Sequence, residues 1–239
     1  SQRVTRLERT LDGASFDTLC ECGLLTLEDD LVRSPCCLYP IGELYIATDR
    51  PGLQPGINPV SALYPETYLL HRAVDRGTHL TRVLDLGTGS GVHALLAAGH
   101  SDHTLGVDIS SRAIEFARFN RALNNLPGAE FVEGDLYDPR TAGDRHDLIL
   151  SNPPYVPSVD HPAGSNWFSG GPTGDSILAR ILEGLDDHLT AGGVAWLDAM
   201  SAYRAGESRR QRMDAWLGGL GRWAVTVRAV PFVYRSTED

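Results

Sequence analysis

Two stretches of this chain combine residues whose types and spacing can do chemistry. Residues 85–91 read Asp-Leu-Gly-Thr-Gly-Ser-Gly, and residues 152–155 read Asn-Pro-Pro-Tyr. In the first, Gly87, Gly89 and Gly91 allow a sharp turn and a close approach of a ligand to the backbone. The spacing differs from the Gly-x-Gly-x-x-Gly of dinucleotide sites. The Asp85 carboxylate just ahead of it would repel a pyrophosphate but suit a ligand with a cationic amino group. In the second, Pro153 and Pro154 fix the backbone and remove two N–H donors, leaving carbonyls free to accept. The side-chain oxygen of Asn152 and the carbonyl of Pro153 can hold both hydrogens of an –NH2 group. That grip orients the nitrogen lone pair and offsets positive charge developing on nitrogen. The Tyr155 ring can stack on a planar acceptor.

The elements that must position these groups alternate strand and helix. Val83, Leu84 and Leu86 form an apolar run suited to a central parallel strand, followed by a helix from Val92 to Ala98. Thr104–Asp108 and Phe131–Asp135 read as the second and third strands, and His146–Ser151 as the strand that ends at Asn152. Ser110 is a good N-cap for a helix carrying Ala113, Phe116, Ala117 and Leu123 at helical spacing. Asp85, Asp108 and Asp135 thus stand at the carboxyl ends of three successive strands, where open α/β sheets bind ligands. Asp108 is placed to accept the hydroxyl hydrogens of a ribose, and Asp135 to accept from an adenine amino group. Further elements are expected as a helix over Ile177–Leu189, a strand over Val194–Ala199, a helix around Tyr203–Leu217 and closing antiparallel strands within Trp223–Tyr234.

These motifs, in this order, resemble the class I S-adenosylmethionine (SAM) dependent methyltransferases of the Asn-Pro-Pro-Tyr group. The likeness is greatest to the HemK-type glutamine N5-methyltransferases and the neighbouring small-methyltransferase families, and it covers most of the chain. Tyr64-Pro-Glu-Thr67 stands where that family has Arg-Pro-Glu-Thr-Glu, with Tyr64 in place of the arginine and Tyr68 in place of the second acid. The resemblance implies an α/β fold: a Rossmann-like, seven-stranded methyltransferase sheet with helices on both faces. It implies SAM as cofactor and S-adenosylhomocysteine as product. SAM would be held by Thr67, Asp85, Gly87, Thr88, Gly89, Gly91, Asp108, Ile109, Asp135, Leu136 and Asn152, with Asn152, Pro153 and Tyr155 acting on the acceptor.

Length and composition suit a methyltransferase domain over 61–239 preceded, over 1–60, by a small N-terminal α+β cap and linker. Val4–Leu11 and Phe16–Cys22 read as helices, and Leu31–Arg33 and Leu44–Ala47 as strands of a hairpin, a winged-helix-like order. Pro51–Pro59 is the linker. This unit carries 5 arginines against 9 acids, so it reads as a lid or a homodimer contact rather than a nucleic-acid binder. The whole chain has net charge −10 and no lysine, which disfavours nucleic acid and excludes Schiff-base chemistry. The Arg209, Arg210 and Arg212 cluster reads as a solvated helix face.

Cys20, Cys22, Cys36 and Cys37 have poor zinc spacing and read as thiols of a reducing, cytoplasmic compartment, with no metal. No run is long and apolar enough for a membrane span, and no signal-peptide pattern is read. The Pro/Gly-rich loop from Val156 to Gly174 carries Trp167 and Phe168, which either cover the acceptor or pack beneath the loop, and His161, which reads as a surface residue. The leading acceptor is an amine or amide nitrogen of a small metabolite or peptide-like molecule. Protein glutamine comes next, then adenine; a SAM-binding protein without catalysis is the alternative of a different class.

Overall fold

Alternate residues of a strand point to opposite faces, and the strand at Val83 shows what that demands of this sequence. Val83 packs with Ala97, Leu148 and Leu150 on one face, while Leu84 and Leu86 pack with Ile149, Ile177, Ile181 and Leu185 on the other. A strand apolar on both faces belongs in the middle of a parallel sheet covered by helices on either side. The computed structural model describes residues 2–3, 13–28, 31–51, 58–137, 143–160, 167–199, 206–219 and 222–227.

The central sheet is built from β6 (Leu80–Leu86), β7 (Ser101–Asp108), β8 (Ala129–Glu133), β9 (His146–Ser151) and β10 (Leu189–Leu197), in the order β10-β9-β6-β7-β8 with every pairing parallel. The chain runs outward from β6 through β7 to β8, then returns to the other side of β6 for β9 and β10. The order therefore reverses between β6 and β9, which is where ligands bind open sheets of this kind. Helices α3 (Val92–Ala98), α4 (Ser111–Leu123) and α5 (Ser176–His188) cover the faces. Ser110 caps α4 as expected, its side chain accepting from the Ala113 N–H. Before the sheet comes α2 (Pro65–Ala73), and after it α6 (Arg209–Trp216), which opens with a capping box between Ser208 and Gln211. The expected closing strands lie mostly outside the described residues; residues 223–227 form no strand.

The N-terminal segment differs from the expected pairing. The helix expected at Val4–Leu11 lies outside the described residues, and that at Phe16–Cys22 is α1 (Gly13–Glu21). Leu31–Arg33 (β3) pairs with β1 (Gln2–Arg3) and β2 (Thr26–Glu28), not with the strand at Leu44. That strand, β5 (Leu44–Asp49), pairs instead with β4 (Cys36–Ile41) across the two-residue turn Gly42–Glu43.

The free edge of β5 is met by Asn120 of α4 and by Asn124, its C-cap. Asn120 accepts from Ala47 N at 2.7 Å and donates to Ala47 O at 2.8 Å; Asn124 accepts from Tyr45 N at 2.9 Å and donates to Tyr45 O at 2.8 Å. Four helical residues rise about 6 Å and two strand residues about 6.6 Å, so two side-chain amides a helical turn apart reproduce the bonds of a neighbouring strand. Ile41 and Ile46 then share a core with Leu95, Ile114, Ala117 and Phe131.

Arg212 is not solvated: it is 4% exposed and donates to Asp175 at 2.9 Å. A buried guanidinium is tolerable only with such a partner.

Candidate active site

The glycine-rich turn after β6 forms one wall of the site. Gly87, Gly89 and Gly91 all have positive φ (67°, 55° and 81°), and the N–H groups of Gly87 and Thr88 both donate to the Val107 carbonyl. Gly91 is the N-cap of α3 in the left-handed region, and a Cβ there would lie 2.9 Å from that of Ala117, so only glycine fits. Asp108 organises the turn from the neighbouring strand end. One of its oxygens accepts from Gly89 N at 2.8 Å and the other from Ser110 N at 2.9 Å. Burial pushes its carboxyl above the usual range, against the pull of these two bonds.

Asp85 sits one layer behind. It is fully buried and accepts from Thr88 Oγ1 at 2.6 Å and from Ala94 N at 3.1 Å through the same oxygen. Its other oxygen has no hydrogen-bond partner among the described residues. Burial first, then the Asp108 charge, push its carboxyl up to about 7. Asp85 therefore fixes the turn rather than facing the cavity, as the sequence had suggested.

The Asn-Pro-Pro-Tyr tip is the second wall. Ser151, the last residue of β9, donates its hydroxyl to the Leu86 carbonyl at 2.6 Å, tying the end of one motif strand to the other. Asn152 follows, half-buried in the cavity wall, and its side-chain amide has no hydrogen-bond partner among the described residues. The loop after Tyr155 doubles back on itself. Val156 N donates to Phe168 O at 2.8 Å, Gly170 N to Val156 O at 2.9 Å and Ser158 N to Gly171 O at 2.9 Å. This fold-back needs close backbone contact, since a Cβ on Gly174 would come within 2.4 Å of the Tyr155 carbonyl. It carries Trp167 and Phe168 to the cavity wall, edge to face with each other. Trp167 stacks on Tyr64 with centroids 6.3 Å apart, and its backbone N–H donates to Asn58 Oδ1. His161 lies outside the described residues.

Between these walls is a cavity of about 260 Å³. Of the residues singled out in the sequence, Thr67, Gly87, Thr88, Gly89, Asp108, Ile109, Asp135, Leu136, Asn152, Pro153 and Tyr155 line it; Asp85 and Gly91 lie behind. The donor set fits SAM. Asp108 keeps lone pairs for a ribose, and Ile109 presents an exposed apolar face. The space over Gly87 and Gly89 is open, with no atom within 4 Å of where a Cβ would stand. Asp135 already has a partner, accepting from Arg180 at 3.0 Å.

Sequence reasoning missed Arg180, Glu66 and His93. Arg180 lies off the apolar stripe of α5 and has no periodic signal. Glu66 was part of a quoted segment, but its partner, Tyr155, is 89 residues away. His93 looked like an ordinary helix residue; it is buried at the cavity, and burial pushes its imidazole down to about 4, so it is neutral there. Among the described residues no cluster of His, Cys, Asp or Glu could hold a metal, and all four cysteines are free thiols.

The glycine turn, the acid at the end of β7 and the Asn-Pro-Pro-Tyr tip at the point where strand order reverses define a Rossmann-like methyltransferase. The methyltransferase small domain family matches residues 54–211, and the chain belongs to this family of SAM-dependent enzymes.

Among curated relatives, it is 32% identical over 146 residues to the release factor glutamine methyltransferase of Aliivibrio fischeri, covering 55% of this chain and 51% of that protein. It is 38% identical over 131 residues to the ribosomal protein uL3 glutamine methyltransferase of Bradyrhizobium diazoefficiens, covering 50% of this chain and 41% of that one. The chain thus spans about half the length of these relatives. Among solved structures, a SAM-dependent methyltransferase from Agrobacterium tumefaciens superposes with a TM-score of 0.53 at 19% identity, covering 84% of this chain and 66% of that one. A 16S rRNA methyltransferase from T. thermophilus, solved with AdoMet and guanosine, superposes with a TM-score of 0.52 at 21% identity, covering 72% of this chain and 44% of that one. Both share the fold.

Proposed function

We propose that this protein transfers the SAM methyl group to the carboxamide nitrogen of a glutamine in a peptide or protein. The observation that carries this reading is the Asn152 side chain, which faces the cavity with no hydrogen-bond partner among the described residues. An amide held at the tip of a rigid strand end, with the adjoining Pro153 carbonyl, offers two acceptors to one –NH2 group. Tyr155 beside them offers a ring face to a planar amide. Gly87, Gly89 and Asp108 would hold SAM, which when bound would supply a methyl group on a positively charged sulfur.

The protein's own residues do the rest. Asn152 and Pro153 orient the nitrogen and take up the positive charge that grows on its hydrogens; as the nitrogen–methyl bond forms and the methyl–sulfur bond breaks, one of these hydrogens leaves as a proton to solvent and neutral S-adenosylhomocysteine departs. Asp108 holds the turn through Gly89 and Ser110 and presents its remaining lone pairs to the ribose. The relatives are named as glutamine methyltransferases, which supports glutamine, second among the acceptors read from the sequence, within the peptide-like part of the first-ranked class of small-metabolite or peptide-like amines and amides.

The reading is tested by incubating the protein with SAM and a short glutamine-bearing peptide, with the asparagine peptide and free adenosine as comparisons, and following the products by mass spectrometry. One added CH2 on the glutamine peptide alone is the expected outcome. Methylation confined to adenosine, or of none of the three while SAM binds, overturns it.

A further inference from the structure

Among contacts of the cavity wall that the proposed function leaves unexplained, one joins distant parts of the chain. The Tyr155 hydroxyl donates to Glu66 Oε1 at 3.1 Å. Glu66 lies in the first turn of α2, between Tyr64, which stacks on Trp167, and Thr67, which is buried in the cavity wall. Pro153 and Pro154 restrict the backbone of the tip, but they do not fix the side-chain torsions of Tyr155. A stacking surface helps only if it is held in place before the acceptor arrives, and a swing about the first torsion of Tyr155 would carry the ring away from the tip. The hydrogen bond from the far end of the ring pins its hydroxyl tip to α2 and so opposes that swing.

We propose that Glu66 is a positioning residue for the methyl acceptor: by accepting the Tyr155 hydroxyl hydrogen it holds in place the ring against which the acceptor amide stacks. The proposal rests on the reading of the Asn-Pro-Pro-Tyr tip as the acceptor grip. It also changes what is expected at Tyr155. The ring alone is not sufficient, so Tyr155→Phe behaves like loss of Glu66.

The test has two arms. In the first, which needs no acceptor, the protein is labelled at the tyrosine Cζ carbons and studied by NMR with SAM bound. The Tyr155 signal is assigned as the one missing from Tyr155→Phe. Its shift is expected to move in Glu66→Ala and to return most of the way in Glu66→Gln, whose amide oxygen can still accept. In the second arm, the glutamine peptide is titrated in steady-state assays. Glu66→Ala and Tyr155→Phe are each expected to raise the peptide KM about tenfold, the scale of one lost hydrogen bond, while SAM affinity stays within about twofold. The double variant is expected to be no worse than either single one, because both remove the same bond.

An unmoved Tyr155 signal in Glu66→Ala overturns the proposal. So do an unchanged peptide KM, additive effects in the double variant, or an equal loss of SAM affinity. If the parent protein leaves the glutamine peptide unmethylated, the function reading falls, and the NMR arm alone decides whether Glu66 holds the ring.

Discussion

On the proposed function Asn152 holds the acceptor and Asp108 the cofactor, so their variants should fail differently. Asn152→Ala should keep SAM affinity within about twofold while the single-turnover methyl-transfer rate falls about 10²-fold, as expected when a reacting group loses its orienting partner. Asp108→Ala should weaken SAM by about 1–3 kcal/mol in calorimetry, because it leaves hydrogen-bonding groups unpaired on both sides. The structure adds a second component to that loss, since the same carboxylate holds the N–H groups of Gly89 and Ser110. An Asp108→Ala protein with parental SAM affinity would remove Asp108 from the site. These residues are legible in the sequence because their signals are local: an acid or an amide directly after a short apolar run, next to glycines or prolines. What locality cannot convey is which way a side chain faces. Asp85 carries the same signal as Asp108 yet turns inward to Thr88 and Ala94, and the pairing of Glu66 with Tyr155 exists only once α2 and the end of β9 have been brought together.

At the level of elements, the hairpin β4–β5 depends on α4 as a strand depends on its neighbour. Asn120 is fully buried and bonds Ala47 through both its donor and its acceptor, and it also donates to the Ser90 carbonyl within the glycine turn. Asn120→Ala should destabilise the protein by about 2–4 kcal/mol in urea unfolding, the cost of stranding several buried polar groups. Asn124→Ala, with its bonds to Tyr45 in a more exposed setting, should cost less. Equal costs would show that hydrophobic contacts, not these amides, seat the hairpin. The loop after the tip offers a complementary case. Gly174 has φ 79° and no room for a side chain beside the Tyr155 carbonyl, so Gly174→Ala should displace the fold-back that carries Trp167 and Phe168. Acceptor turnover should then fall with SAM affinity retained. The order of the central strands and helices was legible from apolar runs broken by glycines and caps. The pairing of the N-terminal strands was not, and Pro40 shows why. A proline inside Cys36–Ile41 argues against a strand, but β4 borders only β5, and a strand with one free edge tolerates a missing N–H.

Two properties belong to the molecule as a whole, its acidity and its buried ionisable groups. With net charge −10 and no lysine, the protein should show no submicromolar, salt-sensitive affinity for duplex DNA or RNA in anisotropy measurements at physiological salt. The buried groups act through pH. Asp85, pushed up to about 7 from 3.8, keeps its proton in the folded chain at pH values where the unfolded chain has lost it. Across that window the folded state binds more protons, so the Asp85 contribution to stability is full below about pH 4 and is lost as pH rises through about 7. His93, pushed down to about 4 from 6.5, acts in the opposite sense: the unfolded chain is protonated first, and stability is lost as pH falls through that range. Each group can tilt stability by at most about 1.4 kcal/mol per pH unit, so over the shared window the two slopes largely offset each other. Asp85→Asn removes one of them. The variant keeps an oxygen for Thr88 and Ala94 and should therefore gain on the parent steadily as pH rises from about 4 to 7. The gain should reach the order of a few kcal/mol and level off above 7. The difference between the two proteins cancels contributions from titrating groups that do not interact with Asp85, so urea unfolding of both at several pH values reads Asp85 together with the Asp108 charge coupled to it. A difference that stayed flat from pH 4 to 7 would mean that Asp85 ionises as it does in the unfolded chain. The glycine turn would then rest on a carboxylate that its buried setting does not perturb.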